Sequence, residues 1–370
     1  MAGISRTFIS LESATSSRAG HGSYPCQGIY YSGGRPAPKV AFIATHYEVD
    51  FAEHYLAEYM AERGFGFLGW NTRFRGNGAY FLLEHALVDI GAGVKWLREE
   101  AKIDVVVLLG NSGGASLMSA YQSQAVEPNI SPARNLPLPD AVLALPQADV
   151  FISLNAHPGR PEVLTAWMDP SVVAEDDPVN TDAKLDMFNA NNGPPYERDF
   201  VKAYRQAQLA RNERITRWAR NELDGLQSMG VWDRLFNVFR TWADLRFLDL
   251  ALDPSDRSPG CYMGDAKRAN YGPFGIGSTC TLRTWLSMWS LAESQCRAAP
   301  HLARVTVPSI VIQSTADQGC FPSDARMICD ALGASDKHLE MISGDHYLTD
   351  DADRVAVADL IADWLRERVS

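Results

Sequence analysis

The chain has 370 residues, 46% of them hydrophobic and 21% charged, with a formal net charge of −11 and a pI near 5.2. The length suits one large domain with an insertion, or two domains. The acidic balance, with no dominant basic patch, argues against nucleic acid or an anionic membrane surface as the main partner.

Six cysteines stand at 26, 261, 280, 296, 320 and 329 without a C-x-x-C pair, so neither zinc spacing nor a dense disulfide framework is expected. The opening MAGISRTFISLESATSS lacks the charged start and apolar core of a secretion signal. No apolar run approaches the roughly 18 residues that a membrane span needs. These features lead us to expect a cytoplasmic protein with reduced thiols.

In chain order, residues 4–11 and 26–31 hold short apolar runs that predict two edge strands, with a loop over Gly20–Pro25. Lys39–Thr45 (KVAFIAT) predicts a buried strand. A helix is expected next, because Phe51, Tyr55, Tyr59 and Met60 recur at helical spacing before Gly64. Phe65–Trp70 is the next strand, followed by the polar loop Asn71–Gly78. Leu83, Ala86, Leu87, Ile90, Val94 and Leu97 then mark a long amphipathic helix.

The next stretch is IDVVVLLGNSGGASLM, residues 103–118. A near-continuous apolar run predicts a strand buried on both faces, as in a parallel sheet. It turns through Gly110-Asn111-Ser112-Gly113-Gly114, a full G-x-S-x-G, into a helix carrying Leu117, Met118 and Tyr121. Such a turn projects its serine above the sheet at a helix N-terminus, where free N–H groups stabilise negative charge. Residues 127–140 read as loop, and Val150–Asn155 as a strand ending at His157-Pro158-Gly159.

From about Arg160 to Pro300 the alternation stops. This segment holds six of the nine tryptophans, an acidic stretch at 169–178 and a basic helix around Arg205–Arg220 whose charged face is expected in solvent. The tryptophans either pack the segment's own core or line a cleft. The pattern resumes with a strand at Ser309–Ser314, a helix near Asp324–Leu332, a strand at His338–Ile342 and a last amphipathic helix through Val357, Leu360, Ile361, Trp364 and Leu365. Alternating strands and helices predict a parallel sheet covered on both faces. The expected division is a core over 1–158 and 301–370, with a helical cap over 159–300.

A serine nucleophile needs a base and an orienting carboxylate. Functional groups in such sheets lie at the carboxyl ends of strands. Asp317 is the first carboxylate beyond Ser309–Ser314, with Asp324 as rival. His346 follows His338–Ile342 in a short loop, with His157 as its main competitor and His338 inside the strand. Oxyanion donors are expected at the N–H of Gly113 and, after the strand Lys39–Thr45, at Tyr47 or Glu48. Arg160, just past a strand end, is a candidate partner for a substrate carboxylate.

These residues resemble the α/β-hydrolase superfamily, esterase- or lipase-like. The motifs are GNSGG at 110–114, TAD at 315–317 and GDH at 344–346, in the order Ser112, Asp317, His346. The likeness covers about 1–158 and 301–370. It implies a mostly parallel eight-stranded sheet flanked by helices, with an inserted helical cap. It also implies a serine hydrolase working through an acyl-enzyme; a cap covering the site leads us to expect a medium-sized apolar ester or lactone as substrate, and no cofactor or metal is expected. The loop after the third strand reads His46-Tyr47 where the family often has His-Gly, and the loop Asn71–Gly78 resembles an Arg-Gly loop of mainly structural role. Dehalogenases and most epoxide hydrolases of this fold carry aspartate at the elbow, which Ser112 argues against. C–C bond hydrolysis, amide hydrolysis and acyl transfer use the same triad, and a non-catalytic ligand-binding relative is the reading from another class. The sequence carries no feature that decides for or against a homodimer.

Overall fold

A computed structural model describes residues 3–13, 25–34 and 36–369; most of the loop expected at Gly20–Pro25 lies outside these. Eight strands form one sheet. They are β1 (Ser5–Glu12), β2 (Pro25–Ser32), β3 (Val40–Ala44), β4 (Gly66–Asn71), β5 (Val105–Asn111), β6 (Val150–Leu154), β7 (Ser309–Ser314) and β8 (Lys337–Ile342). Their spatial order is β1-β2-β4-β3-β5-β6-β7-β8. β1 and β2 pair antiparallel, and β2 pairs antiparallel with β4. The other five pairings are parallel.

The apolar runs become central strands because both faces are covered. Along β5, Val106 and Leu108 face one core cluster while Val107 and Leu109 face the other. This is the two-residue alternation of a strand with an apolar environment on each side. The helices Leu83–Glu99 and Gly114–Val126 cover the first face. The helices Ala57–Glu62 and Asp351–Arg366 cover the second.

The helix expected from Phe51 is shorter than its periodicity suggests, covering only Ala57–Glu62. Side chains claim the preceding N–H groups. Asn71 Oδ1 accepts from Phe51 N at 2.8 Å, Asp50 Oδ1 from Ala52 N at 2.9 Å and His54 Nδ1 from Leu56 N at 3.2 Å. Local side-chain acceptors of this kind compete with helix formation.

Between β6 and β7 the chain leaves the sheet. The helices Arg160–Trp167 and Arg198–Ser228 belong to this insertion. It also holds two ribbons that the sequence pattern does not show, Val172–Ala174 with Asp177–Thr181 and Leu235–Asn237 with Thr279–Thr281. Their strands are short and half exposed, so they lack the apolar run or alternation that marks a strand.

The insertion has aromatic clusters of its own, with Trp167 against Trp242 at 4.8 Å and against Phe247 at 5.3 Å. Arginines inside it do much of the rest. Arg240 and Asp169 are both buried and pair at 2.6 Å. Buried Arg211 pairs with Glu175 at 2.6 Å and donates to the carbonyls of Asp169 and Phe239 at 2.9 Å each. Asp244 is buried and takes Arg205 at 2.7 Å and Arg246 at 2.8 Å. The long helix therefore does not leave all its basic residues in solvent, as its charge had suggested. Arg214 and Arg217 are exposed, but Arg211 points inward.

The loop Asn71–Gly78 is tied to the core by Arg73, whose Nε donates to Asp89 Oδ2 at 2.9 Å. All six cysteines are free. Among the described residues no helix is long and apolar enough to cross a membrane.

Candidate active site

β5 runs into the elbow at Asn111, and Ser112 adopts φ +55°. A non-glycine residue in the left-handed region costs on the order of 1–3 kcal/mol and persists only where its surroundings enforce it. Here they do. Ser112 N donates to Leu154 O at 3.0 Å, and Asn111 Nδ2 donates to the same carbonyl at 3.0 Å. Asn111 Oδ1 also meets His54 Nε2 at 3.2 Å. The flanking glycines are required by close approach. A Cβ on Gly110 would stand 2.3 Å from Ala115 Cα, and one on Gly114 would stand 2.3 Å from Thr45 O.

Past the end of β7, Asp317 is buried. Its Oδ1 accepts from the N–H groups of Gly319 at 2.7 Å and Cys320 at 2.9 Å. Its Oδ2 lies 2.7 Å from His346 Nδ1. Past the end of β8, the loop carrying His346 is held from the end of β6, two strands away in the sheet. Asn155 Nδ2 donates to His346 O at 3.2 Å, while Asn155 Oδ1 accepts from Ser314 N at 2.7 Å. Asn155 does this at φ +45°, a conformation asparagine tolerates better than most residues. The insertion reaches the same ring, because Tyr262 stacks on His346 at 4.9 Å with an interplanar angle of 10°.

The loop after β3 contributes His46, Tyr47 and Glu48. His46 Nδ1 accepts from the N–H groups of Val49 at 3.3 Å and Glu48 at 3.4 Å. Burial, with Arg160 nearby, holds its pKa well below the usual histidine value. The ring is thus neutral with its proton on Nε2. That nitrogen lies 2.8 Å from where a Cβ on Gly113 would stand, and Arg160 Nη1 lies 3.0 Å from the same point. Glu48 thus spends its N–H on His46 and its carboxylate on Arg160 Nη2 at 2.9 Å. Of the two candidate second donors after β3, this leaves the N–H of Tyr47. The Tyr47 side chain is buried and bonded to Ser116 Oγ at 2.9 Å.

Arg160 is buried between two rings, its guanidinium carbon 4.9 Å from the Tyr47 centroid and 4.6 Å from that of Trp289. Its Nε is buried without a partner, as is His157 Nδ1. A buried polar group left unpaired costs about 1–3 kcal/mol. Desolvation and then Arg160 hold His157 neutral as well.

No family model matches this chain, and no curated protein matches it in sequence. Solved structures do resemble it. The alpha/beta hydrolase GrgF from Penicillium sp. sh18 superposes with a TM-score of 0.56 at 11% identity, over 98% of each chain. DcsB, solved in complex with its substrate analogue, gives 0.52 at 14% identity, over 98% of this chain and 100% of its own. Est1E from Butyrivibrio proteoclasticus gives 0.50 at 10% identity, over 94% of this chain and 95% of its own. The chain has the α/β-hydrolase fold.

On this hydrolase fold Ser112, Asp317 and His346 all lie just past the carboxyl ends of strands, and the last two are in direct contact. The rivals stand elsewhere. Asp324 is in the first turn of the helix Pro322–Ala331 and accepts from Phe321 N at 3.0 Å. His338 is in the edge strand and pairs with Asp336 at 3.1 Å. His157 belongs to the cluster around Arg160. Asn155, Tyr262 and the ring of His46 escaped the sequence reading. Asn155 is the last residue of a predicted strand, Val150–Asn155, which is the one signal that marks it.

Asp317, Cys320 and His346 bring potential metal-ligating atoms within 4.8 Å of one another. The carboxylate is already engaged by two N–H groups and the imidazole, and burial pushes the Cys320 thiol pKa well up. The donor set therefore suits an acid–base couple better than a metal centre. Two grooves lie elsewhere. One of about 660 Å³ is lined by Arg73, Tyr80, Trp232 and Arg283, and one of about 490 Å³ runs beside Trp218 and Phe239.

Proposed function

We propose that this chain hydrolyses carboxylic esters or lactones through a serine nucleophile. The observation that carries the reading is the 2.7 Å contact of His346 Nδ1 with buried Asp317, on a fold that holds Ser112 at positive φ on the elbow. Asp317 Oδ2 accepts a hydrogen bond from Nδ1–H of His346, which leaves Nε2 of His346 free to act as base. His346 takes the proton of Ser112 Oγ as the hydroxyl attacks the substrate carbonyl. The N–H groups of Gly113 and Tyr47 receive the oxyanion. His346 then gives its proton to the departing alcohol and afterwards activates the water that releases the acid. The insertion over 159–300 acts as a cap that closes on this centre through Tyr262. We place the protein in the cytoplasm, with its thiols reduced.

The test is turnover of p-nitrophenyl esters alongside labelling by a fluorophosphonate. Ser112→Ala should lose both, with kcat down by about 10⁶, while the fold is retained. Unchanged turnover in that variant overturns the proposal.

A further inference from the structure

Two donors beside Gly113 have no acceptor among the described residues. Among the described residues, neither Arg160 Nη1 nor His46 Nε2 makes a hydrogen bond. Both converge on one point, the position a Cβ would take on Gly113, at 3.0 and 2.8 Å. That residue follows Ser112 and offers the N–H on which the proposed oxyanion forms. The donors therefore flank the residue whose N–H is proposed to hold the scissile carbonyl.

Arg160 is also fixed there. Tyr47 and Trp289 sandwich its guanidinium, Glu48 holds Nη2, and its own N–H donates to Cys296 O at 3.1 Å. Glu48 is a third exposed and occupies one corner only. His46 and His157 are held neutral beside it, so Arg160 is the full positive charge of the cluster. A buried, pre-oriented cation with a free N–H aimed into a catalytic centre recognises an anion. An aliphatic ester makes no use of it.

We propose that Arg160 determines specificity, and that the natural substrate is an ester or lactone whose acyl part carries a carboxylate close to the scissile carbonyl. The carboxylate binds Nη1 of Arg160, with Nε2–H of His46 alongside. Glu48 is its built-in competitor. This rests on the serine-hydrolase reading above and names the substrate class for that site.

The experiment compares p-nitrophenyl half-esters of succinate, glutarate and adipate with their neutral methyl diesters of equal length. The expected wild-type result is a kcat/KM at least tenfold higher for one half-ester than for its neutral partner. Arg160→Gln should cut that acid-to-neutral ratio at least tenfold, mainly through KM, and Arg160→Lys should restore part of it. Glu48→Gln should lower KM for the half-ester, because it removes the competing carboxylate. That variant keeps the idea falsifiable if the arginine replacements fold poorly. The inference is overturned if no half-ester outruns its partner, or if the ratio is unmoved in Arg160→Gln. Fluorophosphonate labelling of Ser112 is run in parallel. Labelling without acid preference overturns the Arg160 assignment alone, while absent labelling overturns the hydrolase reading.

Discussion

The sheet and the insertion above it are held together by different physics. Through the sheet, buried side chains are mostly apolar and the backbone satisfies itself in ladders, with Val107, Leu109, Ile152 and Ile312 in one continuous cluster. In the insertion, loops without regular partners are tied by arginines to carboxylates and carbonyls, as with buried Arg240 and Arg211 and half-buried Arg246. Apolar packing needs only hydrophobic residues of about the right size. A buried ion pair needs both partners, because removing one leaves a charge unpaired in the interior. The insertion is thus the more brittle of the two regions toward single polar changes.

The sharpest way to break this contrast is Asp169→Ala, which leaves Arg240 without its carboxylate. The expected loss is about 3–5 kcal/mol, confined to the insertion. Limited proteolysis should cut within 159–300 while amide exchange along β5 stays slow. If exchange in β5 accelerates in step with cleavage, the two regions are not separable.

Acid should act in the opposite sense, weakening the core first. Burial pushes the pKa of His54, beneath the elbow, down to about 4 from 6.5. The unfolded chain therefore binds more protons below 6.5, and stability is lost as pH falls from 6.5 toward 4. For His54 alone this is about 3 kcal/mol, and His46 and His157 add to it in the same direction. Asp244 in the insertion has its pKa lowered by Arg205 and Arg246 against the opposing effect of burial, so its contribution is lost only below the ordinary carboxylate range. Urea titrations from pH 7 to 4.5 should show the decline, and His54→Asn should flatten it. A flat profile in the parent protein contradicts the assignment.

The smallest effect joins the regions. Tyr262→Ala removes the insertion's ring from His346, and such aromatic contacts are worth about 0.5–1.5 kcal/mol. A roughly tenfold fall in kcat/KM for a p-nitrophenyl ester is expected, with Tyr262→Phe close to the parent. A phenylalanine variant as poor as alanine would point to the hydroxyl and not the stack.

The same contrast explains what was readable beforehand. β5 and the elbow were legible because a strand buried on both faces writes an apolar run, and a crowded turn writes glycines at 110, 113 and 114. Asp317 and His346 were picked by position, each just past a strand end, and the two side chains meet in the structure. The insertion was opaque because its ordering groups are polar. Arg211 and Arg217 look alike in sequence, yet one is buried and the other exposed. The helix expected from Phe51 was overstated because periodicity does not register the acceptors on Asp50, Asn71 and His54. The second-donor loop was unreadable for a similar reason, since the Glu48 N–H goes to a ring nitrogen two residues earlier.

Asn155 carries one last consequence. One amide side chain, at the end of β6, clamps both the end of β7 and the loop of His346. The spacing of Asp317 and His346 is thereby set from within the sheet, and Tyr262 adds a ring contact to it from the insertion. In the mechanism proposed above, displacing Tyr262 would uncover the imidazole while Asn155 still holds the two side chains in register.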